Sequence, residues 1–227
     1  TIAPEHIVLS QIFTTFATGL ILKRMIESIE TRIIRKIKRA DRGRLFFVDT
    51  FAKFGNVKAV NKALERLVQQ EKLCRIAHGI YVLPAESEYT GKVFPDTDTI
   101  AVAIAKRDKA RIVPTGSYAL YKLGLTTQVP MNVVYYTDTS ARGISIGKRT
   151  IKFKKTSARN LAFTGEISML AIQALRTLGK GNVTDEEIKH IKRILQNENP
   201  KHLQHDLLLA PVWIRTLLLD NNTIENE

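Results

Sequence analysis

From Ser28 onward the hydrophobic positions fall into helical period. Ile29, Ile33, Ile34 and Ile37 share one side, and Arg32, Arg35, Lys36 and Arg39 form a basic face opposite them. That spacing predicts an amphipathic helix over 28–40, ended by Asp41-Arg42-Gly43. A short second helix is expected near 48–54, opening at Asp49 or Thr50 and stopping at Gly55. Asn56 then reads as the N-cap of a third helix over 57–70, with Val57, Val60, Leu64, Leu67 and Val68 as its apolar stripe. After Glu71 the period changes to two. Leu73 and Arg75, then Ile80 and Val82, flank Ala77-His78-Gly79 as a hairpin turning at Gly79, and Pro84 closes it. Three helices and a hairpin within residues 25–84 make the winged helix-turn-helix pattern.

A polar run over 85–96 reads as a linker to a second domain over 97–220, with 221–227 as a tail. In that domain Asp96 or Thr97 caps a helix carrying Ile100, Val102, Ile104 and Ala105, and Thr115-Gly116-Ser117 opens a short helix to Leu123-Gly124. Val133-Val134-Tyr135-Tyr136 reads as a buried strand. Ile144 to Ile146 and Thr150 to Lys155 are predicted to pair around Gly147-Lys148-Arg149, with Ile151 and Phe153 facing one way and Lys152 and Lys154 the other. Helices are expected over 165–178 and 185–196, the latter opened by a capping box from Thr184 to Glu187. A last helix over 207–219 tolerates Pro211 only in its first turn or as a kink. The fold class expected is α+β: a winged helix-turn-helix domain, then a mixed α/β domain with a small sheet and C-terminal helices. Residues 1–24 read as an extension, with Met25 as the natural first residue. The uncharged stretch from Ile7 to Leu22 is shorter than the roughly 20 apolar residues of a membrane span and is interrupted by Ser10, Gln11, Thr14, Thr15 and Thr18.

Composition narrows the class. The chain has 227 residues, 44% hydrophobic and 25% charged, which suits one or two globular domains and excludes a disordered chain. Its single cysteine, Cys74, excludes a disulfide framework and cysteine-based metal sites and fits a cytoplasmic location. Net charge is +13, and its distribution matters more than its size. Residues 23–92 carry 16 basic and 8 acidic groups, and residues 142–159 carry 7 basic groups and no acid. The remaining stretches are close to neutral. Two separate electropositive surfaces point to a polyanion, nucleic acid foremost.

On the third helix the outward residues are Lys58, Asn61, Lys62, Glu65, Arg66 and Gln69. Asn61 suits bidentate pairing with adenine, and Lys58 and Lys62 suit guanine or phosphate. Arg66, Lys72, Arg75 and His78 extend the positive surface toward the backbone of a duplex. The second block, Arg142, Lys148, Arg149, Lys152, Lys154, Lys155 and Arg159, suits phosphate or an acidic protein. An alternative is a nucleotide- or RNA-acting enzyme, because Thr115-Gly116-Ser117 resembles the Gly-Ser turn that holds a triphosphate in nucleotidyltransferases. Such enzymes need two or three carboxylates on the next strand, and only Asp138 is available here. His202 and His205 lack the further ligands a metal site requires. No catalysis, metal or cofactor is expected.

Two runs carry a family resemblance: Ala59-Val60-Asn61-Lys62-Ala63-Leu64-Glu65-Arg66-Leu67, and Ile76-Ala77-His78-Gly79-Ile80-Tyr81-Val82. With Pro114-Thr115-Gly116-Ser117-Tyr118-Ala119-Leu120, Gly124-Leu125-Thr126-Thr127-Gln128-Val129-Pro130 and Tyr135-Tyr136-Thr137, they resemble AbiEi-type antitoxins of bacterial type IV toxin–antitoxin (abortive infection) systems over residues 28–215. The resemblance implies a transcriptional regulator that binds inverted repeats in double-stranded DNA upstream of its own operon and represses it. It also implies a second domain that counters a nucleotidyltransferase-like toxin without requiring a stable complex. The basic hairpin corresponds in position to a positive surface of such antitoxins, whereas residues 1–22 have no counterpart in the family pattern.

Overall fold

The computed structural model describes residues 27–89 and 91–219. The expected extension, 1–24, and the tail, 221–227, lie outside the described residues, as does Met25. Contacts divide the chain into two units, Thr1–Pro95 and Asp96–Glu227. Helices and small sheets are mixed in an α+β arrangement.

In the first unit, α1 (Ile29–Lys38) begins where Ser28 Oγ accepts a hydrogen bond from the Thr31 N–H at 3.1 Å, and it buries Ile33 and Ile37. Strand β1 (Leu45–Phe47) follows, and then a 3₁₀ helix over Val48–Phe54 that buries Phe51. Helix α2 (Val57–Gln69) opens at Asn56, whose side-chain oxygen accepts from the Ala59 N–H at 2.8 Å. Val60, Ala63, Leu64 and Leu67 are buried. Strands β2 (Cys74–Ala77) and β3 (Ile80–Val82) complete a three-stranded antiparallel sheet of order β1-β3-β2. The central strand β3 is buried at every position. Its Tyr81 joins Ile33, Ile37, Phe46, Phe51, Leu64 and Leu73 in one core.

Three expectations change here. Val57 does not belong to the core stripe: it is 66% exposed, because at the first helical position no earlier turn covers it. Strand β1 was not foreseen, since three residues without alternation carry no period. The run 85–96 is not a plain linker but holds a hairpin, β4 (Ala85–Ser87) with β5 (Gly91–Val93), turned with Gly91 at φ +70°. All three residues of β5 are exposed and β4 is at most half-buried, so the hairpin carries no apolar alternation to read.

The second unit holds α3 (Thr97–Asp108), β6 (Ile112–Thr115), α4 (Ser117–Lys122), β7 (Asn132–Thr137), β8 (Arg142–Ile146) and β9 (Arg149–Lys155). The sheet order is β6-β7-β9-β8, with β7 and β9 parallel and the other pairs antiparallel. Val133, Tyr135, Thr137, Ile151 and Phe153 form its buried face. A 3₁₀ turn over Ala158–Leu161 leads to α5 (Glu166–Leu178), around which α6 (Asp185–Leu195), α7 (Pro200–Leu209) and α8 (Val212–Leu219) pack. The single helix expected over 207–219 is therefore two. Pro211 lacks the N–H that would continue α7, so the chain turns at Ala210 and α8 restarts beyond it.

Helix α5 is buried along Leu170 to Leu175, yet its own N-cap, Gly165, offers no side chain. Two distant carboxylates take that role. Asp206 of α7 accepts from the N–H groups of Thr164 and Gly165, both at 2.9 Å, and from Ser168 Oγ at 2.5 Å. Glu198 accepts from the N–H groups of Ile167 and Ser168 at 2.8 and 3.1 Å. A Cβ at position 165 would collide with Ser168 Oγ and the Glu198 carboxylate, so glycine is needed for the close approach. Further along α5, Gln173 is buried with neither amide atom hydrogen-bonded among the described residues. An unpaired buried amide costs about 1–3 kcal/mol. Gln173→Met is therefore expected to raise stability by roughly 1–2 kcal/mol in urea denaturation; a loss of stability would show that the amide is partnered in solution.

Candidate nucleic-acid interface

The outer side of α2 presents Lys58, Lys62 and Arg66 at four-residue spacing, on one stripe of the helix. Lys58 and Lys62 are exposed and have no acidic partner among the described residues. Arg66 is exposed as well, but its Nη1 donates to Glu30 of α1 at 2.9 Å. These residues rim a shallow groove of about 510 Å³ between the start of α1 and α2, floored by Ala59 and Ala63. Asn61, half-buried, lies on the adjoining stripe with Val57, one turn earlier.

The hairpin β2–β3 and the turn before it carry the other predicted residues. Arg75 is exposed and its Nε donates weakly to the Ala77 carbonyl at 3.4 Å, and His78 stands exposed at the turn beside Gly79 (φ +72°). Lys72 is exposed, donating to Gln70 Oε1 at 2.9 Å. Tyr81 of the hairpin shares a core with Val60, Leu64 and Leu67 of α2, and burial raises its phenol's pKa, with Arg75 opposing the shift and Glu65 adding to it. All seven predicted residues thus lie within the first unit, none of them buried. Glu30 and Glu65 bring negative charge to the two sides of the cationic stripe.

The second basic block does not form one patch. Paired residues on neighbouring strands share a face. Lys152 pairs with Val134 and Gly143, and Lys154 with Tyr136, on the side away from Phe153. Arg142 instead pairs with Phe153 on the buried side. Its guanidinium stands 5.4 Å above the Phe153 ring and is ion-paired with Asp108 at the end of α3. Burial first, and Arg107 second, pull its pKa below the usual arginine value. Arg142 is thereby a structural tie and leaves the predicted patch. Lys148, Arg149, Lys152, Lys154, Lys155 and Arg159 remain exposed without acidic partners among the described residues.

The residues of the enzyme alternative lie apart. Gly116 (φ +67°) does open α4 at Ser117, beyond the Thr115 end of β6. Asp138 sits past the other end of the strand pair, where its Oδ1 accepts from the Arg111 N–H at 3.0 Å. At about 3.3 Å per residue, roughly 10 Å of strand separates the two, so no carboxylate stands beside the Gly-Ser turn from this pair. His202 and His205 stand on α7 against Glu198 and Asp206. Among the described residues no group of three or more His, Cys, Asp or Glu side chains is placed to hold a metal ion. Nor is any described helix long and apolar enough to cross a membrane.

Two features escaped the sequence. One is Val57, which belongs to the exposed surface of α2. The other is a junction in the second unit: Tyr135 Oη donates to Asp98 at 2.6 Å, and Lys122 Nζ donates to the same carboxylate at 2.8 Å. Burial, followed by Asp98, raises the Tyr135 phenol, which stays a donor and fixes α3 and α4 on β7.

A family model described as "Family of unknown function (DUF6088)" matches residues 32–203. Among solved structures, the RV2827C protein from Mycobacterium tuberculosis is similar over 89% of this chain and 83% of its own, with 13% sequence identity and a TM-score of 0.44. No curated protein matches.

Proposed function

The chain belongs to DUF6088, a family of unknown function, and we propose that it is a double-stranded-DNA-binding regulator whose first unit acts as a winged helix-turn-helix. Helix α2 enters the major groove, and the β2–β3 hairpin is the wing on the neighbouring backbone. The observation that carries this reading is the pair of exposed lysines Lys58 and Lys62, neither of them ion-paired among the described residues, beside Asn61 in the N-terminal half of α2. Lys58, Asn61 and Lys62 reach base edges, while Arg66, Lys72, Arg75 and His78 hold phosphates and set the register. One such unit spans too few base pairs for high specificity, so two copies act on an inverted repeat.

The resemblance to AbiEi-type antitoxins extends the proposal to a biological role. The protein represses its own operon in the cytoplasm and counters a nucleotidyltransferase-like toxin through its second unit, without catalysis, metal or cofactor. Lys148, Arg149, Lys152, Lys154, Lys155 and Arg159 are exposed cations of that unit available to an anionic partner, with Lys152 and Lys154 on the sheet face away from Phe153.

The test is binding of the full chain to the DNA upstream of its own gene, by fluorescence anisotropy over a salt series with footprinting alongside. Three Lys/Arg phosphate contacts, Arg66, Lys72 and Arg75, in each of two copies predict a slope of log K against log salt of about −5.4. A protected inverted repeat with a slope near that value supports the reading; a flat salt dependence and no protected site would remove it.

A further inference from the structure

We infer that Val57 recognises the C5-methyl group of a thymine lying within two base steps of the adenine engaged by Asn61. The inference rests on the DNA-binding reading above and adds an apolar contact to it. Of the other apolar residues of α2, Val60, Ala63, Leu64 and Leu67 are buried in the core of the first unit and Ala59 and Val68 are half-buried, whereas Val57 is 66% exposed. A single exposed valine is ordinary on a protein surface. Its place sets this one apart: it is the first residue of α2, directly before the exposed Lys58 and one helical turn before Asn61.

Residues at the start of a recognition helix are those that reach base edges. The thymine methyl is the apolar group displayed in the major groove, and small apolar side chains contact it. A β-branched residue suits the task, because its two methyl groups are held in few rotamers in a helix and lose little freedom on contact. Four residues of helix advance about 6 Å. Successive bases of one strand rise about 3.4 Å, so the thymine and the adenine fall within two steps of each other.

The experiment begins with duplexes retained by the full chain from a randomised pool. Each thymine of the retained half-site is then replaced singly by deoxyuridine, which keeps every hydrogen-bonding group and removes only the methyl. The wild-type protein is expected to bind about fourfold more weakly for each contacted thymine methyl removed, the value of one methyl lost from an apolar contact. That thymine should lie within two steps of an adenine whose replacement by 7-deaza-adenine also weakens binding. In Val57→Ser, the methyl-dependent penalty should vanish at that position while the salt dependence stays that of the wild type. Methyl loss without effect at every thymine, or a penalty that persists in Val57→Ser, overturns the inference and leaves the DNA-binding reading standing. A chain that retains no duplex at all overturns both.

Discussion

Reversing the charge of Lys58 and Lys62 together, as Lys58→Glu and Lys62→Glu, is expected to weaken binding to the protected repeat at least about 100-fold. Both ammonium groups are exposed and unpaired among the described residues, so no native contact is lost. The fold should be preserved for a further reason. A glutamate at position 58 lies in the first turn of α2, where the helix dipole favours a negative charge. One at position 62 stands four residues before Arg66 and can pair with it. Circular dichroism and urea midpoints should therefore match the wild type while affinity collapses. A double variant that still binds with wild-type affinity would show that α2 is not the reading element.

The second large effect concerns stability. Asp206→Ala is expected to destabilise the second unit by about 4 kcal/mol, because the carboxylate is 0% exposed and its removal strands the Thr164 and Gly165 N–H groups and the Ser168 hydroxyl. On a unit of this size that lowers the melting temperature by roughly 10 °C or more. A shift of less than one or two degrees would show that α5 finds other caps. The same carboxylates fix the response to acid. Burial alone would raise the Asp206 carboxyl; hydrogen bonds from Ser168 and His205, then from the Thr164 and Gly165 backbone, outweigh it and hold the pKa below the ordinary value. Glu198 is likewise opposed by burial and lowered by the N–H groups of Ser168, Asn199 and Ile167. A depressed carboxyl contributes stability in full above its unfolded pKa of about 4 and loses it as pH falls through the folded value. Urea midpoints should fall on acidification below that point, and less steeply in Asp206→Ala.

Helices with local caps were legible in the sequence. Ser28, Asn56 and Thr184 each place a side-chain oxygen over the following turn, and the stripes of α1, α2 and α6 are complete within each helix. Strands whose partners lie far along the chain were not. Leu45–Phe47 has no alternation, and Ile112–Thr115 contains Pro114, which is compatible with a strand only because β6 is an edge of its sheet. The caps of α5 were equally hidden, since Glu198 and Asp206 fall in the stretch 197–206, where no element was expected. In the candidate interface, exposure of the cations was legible because a helical wheel sets them opposite the stripe. The same wheel put Val57 at the rim of that stripe, and only its place in the first turn distinguished it. Arg142 was legible in principle: period two sets it on the side of Ile144 and Ile146, not that of Lys152.

The trans-capping of α5 also bears on how the protein is made. Its first turn is completed by groups at positions 198 and 206, so a nascent chain that has just emerged past Leu178 holds an apolar helix with its leading N–H groups still bonded to water. The sheet of β6 to β9 is already out of the ribosome at that point, but the helix that belongs with it waits for α7. A ribosome pausing between these positions prolongs the exposure of Leu170 to Leu175, and a message cut short before the codon for Asp206 yields a chain for proteases rather than a working second unit.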